Sequence, residues 1–190
     1  MTTAQVQALT SVQVAALTTG QVVALTTAQA AALDPADIAV LTSAQLAALQ
    51  EVDFAAFGTA QIAALTTAQM AWLSADLIAA LTTAQARALE TEDLVRLSTA
   101  QIRALETADL AALSTVQIVA RTTAQAAALS SAQIKALTSA QIQALETDDL
   151  ASLSTAAIIN LTTAQSAALS VAQVAALTTD QVSVLESADL

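Results

Sequence analysis

The sequence contains no cysteine and no histidine, a single proline, two glycines and only 2% aromatic residues. Without Cys and His there is no thiol chemistry, no imidazole acid–base catalysis and little basis for a transition-metal site. So little glycine and so few aromatic residues exclude collagen-like chains, glycine-rich linkers and aromatic-rich β architectures. The 56% hydrophobic fraction is mostly alanine and leucine, which favours helix.

Basic residues and long apolar runs are also scarce. Five Lys and Arg stand against sixteen Asp and Glu, which gives a net charge of −11. Such a chain lacks the basic surface that phosphate backbones require, so we expect no nucleic-acid partner. The longest apolar run is 77–81, whereas a membrane helix needs about 20 apolar residues. We therefore predict no membrane insertion, although the mean hydropathy is positive.

An eight-residue repeat, here called the octad, begins at Thr2 and continues to the last residue. Counted from Thr2, the consensus of positions one to eight is [Thr/Ser]-[Thr/Ser]-Ala-Gln-[Ile/Val]-x-Ala-Leu. Position eight is Leu in 21 of 23 complete octads, and the exceptions are Phe57 and Arg121. We therefore expect residues 1–190 to form one repeat array of about 24 octads, as a piece of a longer repeat region.

The octad carries a helix start. Position one is Thr or Ser in 17 of 24 octads and position four is Gln in 16, which is the spacing of a capping box. Asp34-Pro35 supports this register because Asp is a good N-cap and proline is tolerated at the first helical position. A continuous helix would rotate the leucine by roughly 80° per octad and would spread the leucines around its whole surface. The sequence therefore predicts an all-α solenoid, a superhelix of very short helices stabilised by stacking, with positions five and eight inward and position six outward.

Six octads depart from the consensus in a correlated way. Position four is Asp instead of Gln, at Asp37, Asp53, Asp93, Asp109, Asp149 and Asp189. In the same octads position one is neither Thr nor Ser but Asp34, Gln50, Glu90, Glu106, Glu146 or Glu186. These octads hold fourteen of the sixteen acidic residues. The pairing predicts that the two side chains meet or that together they set a different turn.

A higher-order, 40-residue period of five octads overlies the octad itself. It separates Asp53 from Asp93, Asp109 from Asp149, and Asp149 from Asp189, and position five is small at the same interval in Ala86, Ala126 and Ser166. In one interpretation five octads complete one superhelical turn, which would stack the small residues and align the acids in columns. In the other, the period is only the length of an ancestral duplication.

Residues able to carry chemistry are few. Carboxylate pairs such as Glu106 and Asp109 are the only general acid–base candidates, and no nucleophile accompanies them. We therefore interpret them as helix caps and expect no enzyme activity, no cofactor and no metal site. The residues that we predict as candidate partner contacts are Asp53, Asp93, Asp109, Asp149, Asp189, Trp72 and Arg121.

Two of these candidates break the octad pattern. Trp72 replaces a small residue at position seven, near Leu77, which takes the glutamine position after an apparent one-residue slip at 74–76. We expect Trp72 to pack, with a local bulge or a contact site as the alternative. Arg121 stands in the leucine column, and we expect it to face solvent, a neighbouring acid or a partner, because an unpaired buried charge is costly.

The octads resemble the Ala/Thr/Gln-rich tandem-repeat arrays of large bacterial surface and secreted proteins. This resemblance implies an extracellular or cell-surface setting and a structural or adhesive role. The sequence therefore predicts a non-enzymatic spacer or scaffold. The alternative is a binding module that recruits a basic protein through its acidic columns, or one that self-assembles end to end through uncapped ends.

Overall fold

A computed structural model describes residues 1–185, which form 23 α-helices and contain no strand. The chain divides into two compact units, Met1–Leu97 and Ser98–Leu190. The helices of the first unit are α1 Thr3–Gln7, α2 Ser11–Ala15, α3 Thr19–Val23, α4 Thr27–Ala30, α5 Pro35–Ile38, α6 Ser43–Ala47, α7 Glu51–Ala55, α8 Thr59–Ala63, α9 Thr67–Trp72, α10 Ala75–Ala79, α11 Thr83–Ala88 and α12 Thr91–Arg96. Those of the second are α13 Thr99–Ala104, α14 Thr107–Ala112, α15 Thr115–Val119, α16 Thr123–Ala127, α17 Ser131–Ala136, α18 Ser139–Ala144, α19 Thr147–Ser152, α20 Thr155–Ile158, α21 Thr163–Ser166, α22 Val171–Ala176 and α23 Thr179–Ser183.

Each helix begins at position two, directly after an N-cap residue in an extended conformation. Between α18 and α19, for example, Leu145 has φ −60° and ψ 136° and Glu146 has φ −67° and ψ 154°. Two such residues reverse the chain without any positive φ in residues 1–185. The array therefore needs almost no glycine. Asp34 caps α5 with Pro35 at its start, as predicted, although the Asp34 side chain makes no capping hydrogen bond.

Helices three apart in sequence pack against each other in both units. In the first unit α5 packs against α2 and α8, and in the second α19 packs against α16 and α22. Side-chain hydrogen bonds described below join helices four apart. One turn of each solenoid therefore takes between three and four octads. The predicted all-α solenoid with one short helix per octad is confirmed.

The geometric interpretation of the 40-residue period is wrong. Five octads exceed one turn, so residues 40 apart within a unit are not stacked directly on each other, and Ala126 does not stack on Ser166. The rotation from one helix to the next is set by the two extended residues between them. The N-cap backbone angles of the variant octad at Glu146 match those of the consensus octad at Thr138, φ −71° and ψ 158°. The variant octads thus do not set a different turn.

Positions five and eight form the core, as predicted. Ile102, Ile118 and Ile142 at position five are 0% exposed, and Leu105 and Leu145 at position eight are 3–4% exposed. Position six faces outward at Gln7, Arg87, Arg103, Lys135 and Gln143.

The slip predicted at 74–76 does not occur. Ser74 is the N-cap of α10, and its hydroxyl accepts a hydrogen bond from the main-chain N–H of Leu77 at 3.1 Å. Leu77 lies in the ordinary position four and is buried. The octad keeps its register because a serine cap supports the first turn without the glutamine.

Candidate functional site

The polar side chain at position four lies at the junction between turns. Gln141 shows the arrangement at its own helix: its Oε1 accepts a hydrogen bond from the main-chain N–H of Thr138 at 2.8 Å, and Thr138 Oγ1 accepts one from the N–H of Gln141 at 3.2 Å. This is the predicted capping box, and it satisfies two main-chain donors that a helix start leaves open.

The same glutamine also binds the preceding turn. Gln141 Nε2 donates to the carbonyl oxygens of Leu110 at 3.0 Å and Leu113 at 2.8 Å, which lie 31 and 28 residues earlier. The pattern recurs at Gln45, Gln61, Gln69, Gln85, Gln133, Gln165, Gln173 and Gln181. We call these bonds the glutamine ladder. Each bond runs from the glutamine at position four of one octad to a main-chain carbonyl of the fourth octad before it. The two carbonyl groups belong to positions five and eight of that earlier octad.

The ladder was not predicted, although the sequence contains a signal for it. A capping box accepts Glu at position four as readily as Gln, yet none of the 24 octads has Glu there. The missing glutamate indicates that the side chain must donate as well as accept. The described ladder glutamines are 1–4% exposed, so an ionised replacement would set a charge against buried carbonyl oxygens.

The variant aspartates occupy the same buried place. Asp37, Asp53, Asp93, Asp109 and Asp149 are 2–3% exposed, and Asp189 lies outside the described residues. The acidic residues at position one of the described octads, Asp34, Glu90, Glu106 and Glu146, by contrast, make no side-chain capping hydrogen bond. In the octad of Asp93 the main-chain N–H of Glu90 lowers the pKa of the Asp93 carboxyl group, whereas the predicted meeting of the two side chains stays a prediction.

Burial perturbs two of these carboxyl groups. Desolvation is the largest cause that raises the pKa of Asp109 to about 6, and the negative charge of Glu106 adds to it. Desolvation likewise raises the pKa of Asp93, opposed by the Glu90 hydrogen bond and reinforced by the charges of Glu90 and Glu92. In these two octads the negative charge of Glu90 or Glu106 therefore disfavours ionisation of the aspartate at position four.

Arg121 is buried, at 4% exposure, and its neighbouring acid is Asp149. Arg121 Nε donates to the carbonyl oxygen of Ile118 at 3.2 Å. Each ladder glutamine donates to the carbonyl oxygen 31 residues before it. The Ile118 carbonyl is therefore the one that a consensus glutamine would bind if it stood in place of Asp149. Burial lowers the pKa of Arg121 to about 10, and the Asp149 charge opposes the shift. Within residues 1–185, Arg121 Nη1 and Nη2 and Asp149 Oδ2 have no hydrogen-bond partner. Of the three expected surroundings of Arg121, solvent is excluded by its burial, and Asp149 is the acid whose charge acts on it.

Trp72 is 47% exposed at the end of α9, so the expected packing covers only about half of its side chain. The helix is regular around it, without a bulge, and Trp72 is the last residue of α9. Trp72 stays a candidate contact residue. Asp53, Asp93, Asp109 and Asp149 are also candidate contacts by prediction, but their burial keeps them from forming acidic columns on the surface of the described chain.

The described part of the chain holds neither a metal cluster nor a membrane helix. Residues 1–185 contain no group of three or more acidic, His or Cys side chains that could hold a metal ion. Over the same residues, every helix is too short to cross a bilayer.

Comparison with protein families gives one match. The model of the ALTTAQ repeat matches residues 1–27, 46–83, 86–123, 104–139, 121–147 and 142–179. No match was found among curated proteins or among solved structures.

Proposed function

The chain belongs to the ALTTAQ repeat family, and on that premise we propose that it is a non-enzymatic structural module, a spacer or scaffold within a larger protein. The observation that supports this proposal most is the glutamine ladder. Most of the polar groups that recur in the octad are used in capping helices and joining turns, which leaves little recurring surface chemistry. The setting that we propose, a bacterial cell surface or secreted protein, rests on the resemblance of the octads alone.

A second candidate function is end-to-end self-assembly, and the two edges of the array favour it. Gln5, Gln13 and Gln21 are exposed, and their Nε2 groups have no carbonyl partner among the described residues. At the other edge Val174 and Val182, which take position five, are 48% and 47% exposed. Interior position-five residues such as Ile102 are 0% exposed.

These edges are complementary. One offers amide donors, and the other offers apolar side chains and the carbonyl groups that the ladder would use. The partner that fits is a second copy of this chain, bound head to tail, because the interface would repeat the interior contacts. A basic protein partner is the weaker alternative, since the aspartates of the variant octads are buried.

Sedimentation velocity over a concentration series distinguishes the two functions. A monomer at all concentrations supports the spacer and contradicts self-assembly. If the chain associates, the variant Q5E/Q13E/Q21E tests the mechanism. Glutamate keeps the capping box but removes the amide donor, so we expect the variant to be monomeric. The exposed substitutions E51Q/E92Q are the control and should leave association unchanged, whereas association of the triple variant would contradict head-to-tail pairing.

A further inference from the structure

The glutamine ladder is interrupted at α10, where Leu77 stands at position four. Ladder glutamines donate to the carbonyl oxygens 31 and 28 residues before them, and for Leu77 these positions are Leu46 and Leu49. Leucine has no donor to offer. The Leu46 carbonyl accepts from the Leu49 N–H of its own turn at 3.2 Å, but the Leu49 carbonyl accepts no hydrogen bond within residues 1–185. The interruption therefore leaves an acceptor of the preceding turn open.

A cavity of about 490 Å³ lies at the same place, within the first unit. Leu49 and Leu77 both line it, so the two turns meet there as the ladder requires. Two carboxylates also line it, Glu51 of α7 and Asp76 of α10, and these two helices pack against each other. Both acids are exposed, and no lysine or arginine of the described chain lines the cavity. The cavity thus offers acceptors and negative charge without any cation.

The lining of this cavity concentrates departures from the octad consensus. Position two is Thr or Ser in 20 of 24 octads, and Glu51 is the one acid there. Asp76 is one of two acids outside the variant octads, and Leu77 is one of two position-four residues that are neither Gln nor Asp. The helix dipole would favour an acid at the start of every helix alike, so it does not explain why these changes occur together.

We propose that this cavity binds a primary ammonium group, carried by a small diamine or by the lysine side chain of a partner. In the ladder a single nitrogen, the glutamine Nε2, donates to carbonyl oxygens of the preceding turn. An ammonium group is also a single nitrogen, with three N–H donors. It supplies the Leu49 carbonyl with the donor that Leu77 lacks. The carboxylates of Glu51 and Asp76 balance its charge through hydrogen bonds that are stronger than neutral ones.

The charge of the first unit favours such a ligand over an anion, and the number of acceptors favours it over a metal ion. Residues 1–97 contain eight acids and two arginines, so the unit attracts cations. Ca²⁺ takes about six to eight oxygen ligands, whereas residues 1–185 contain no group of three or more acidic, His or Cys side chains that could hold a metal ion. An ammonium group needs only the few acceptors that the cavity holds.

Isothermal titration calorimetry of the full chain with the diamine cadaverine tests the proposal, at low ionic strength so that salt does not screen the charges. The N-permethylated analogue of cadaverine carries the same charges without N–H donors. We expect cadaverine to bind at a single site and the analogue to bind at least about 10-fold more weakly, because its hydrogen bonds to charged groups are lost. A blocked pentapeptide of four glycines and one lysine is the second probe. Tighter binding of the peptide identifies a protein lysine as the source of the ammonium group, and tighter binding of cadaverine identifies a free amine.

Two variants separate the carboxylates from the open carbonyl. E51Q/D76N removes both charges and should weaken cadaverine binding at least about 10-fold. Its matched control, E92Q/D148N, removes two exposed acids that do not line the cavity and should bind like the wild type.

L77Q keeps both acids but restores the consensus donor to the preceding turn, so it should also weaken binding at least about 10-fold. Its matched control is A157Q, which makes the same consensus change in the second unit and should bind like the wild type. Far-UV circular dichroism verifies the fold of each variant. Absence of binding by both probes, equal affinity for the permethylated analogue, equal effects of E51Q/D76N and E92Q/D148N, or wild-type affinity of L77Q would each overturn the proposal.

Discussion

A single residue, the glutamine at position four, connects local and long-range structure. Gln69 caps α9 through Thr66 and donates to the carbonyl oxygens of Ile38 and Leu41 at 2.7 and 2.9 Å. The cap was predicted from the sequence because its two partners are close in the chain. The hydrogen bonds to the preceding turn were not predicted. They depend on the rotation between successive helices, which decides which carbonyl groups lie opposite the glutamine, and the sequence does not reveal that rotation. The same reason limits the prediction for Arg121. The sequence indicated that burying its charge unpaired would be costly, but it did not indicate that Asp149 lies near it on the next turn.

The pair of Arg121 and Asp149 gives a prediction at this scale. R121L leaves Asp149 opposite no cation, and D149Q leaves a buried guanidinium without its acid, so each single variant should lose about 3 kcal/mol of unfolding free energy. The double variant R121L/D149Q restores both consensus residues and should be at least as stable as the wild type. Urea unfolding of the four proteins measures the coupling energy, which we expect to be about 6 kcal/mol because the double variant recovers both single losses.

A matched pair provides the control for this cycle. K135L and D148N remove two exposed charges from the same unit, and their effects should be small and additive. If the buried pair is also additive, Arg121 and Asp149 do not depend on each other.

At the scale of the element, helices of four to six residues are far below the length that is stable alone in water. Each one therefore relies on its cap and on the helices three places before and after it. The caps, the inward positions and the helix bounds follow from the octad alone, since all of them are local. Trp72 shows the limit of such reasoning: its large apolar side chain suggested packing, but 47% of its surface is exposed.

Gly58 offers a prediction at the element scale. It is the N-cap of α8 and provides no side-chain cap, in an extended conformation of φ −72° and ψ 162° that threonine adopts in other octads. An added Cβ would meet Gln61 Oε1 at 3.7 Å, an ordinary contact. G58T should therefore stabilise the chain by about 0.5–1 kcal/mol, through the new cap and a less flexible unfolded state. Thermal unfolding checks this.

Alanine separates the two contributions at this position. G58A reduces the freedom of the unfolded chain but adds no hydroxyl, so we expect it to be less stable than G58T. Equal stability of G58A and G58T would show that the cap contributes nothing in this octad.

At the scale of the whole molecule, the same octad has different surroundings at an edge and in the interior. In the first unit α1 packs against α4 on one side only, whereas α8 packs against both α5 and α11. Gln5 has no carbonyl partner among the described residues, whereas Gln61 Nε2 donates to Ala30 and Leu33 at 3.1 and 2.8 Å. Stability in such arrays is a sum of helix and interface contributions, so it must fall towards an edge.

Hydrogen exchange measures this gradient directly. The segments Thr-Ala-Gln-Val at 3–6 and Thr-Ala-Gln-Ile at 59–62 have almost the same sequence, so their intrinsic exchange rates are nearly equal. A net hydrogen bond contributes about 1 kcal/mol, and two ladder bonds together with the second packing face should slow exchange at 59–62 by at least about 10-fold relative to 3–6. Mass spectrometry of the intact chain tests this. Equal protection of the two segments would mean that each octad holds its own structure, and that the glutamine ladder adds no stability to the turns it joins.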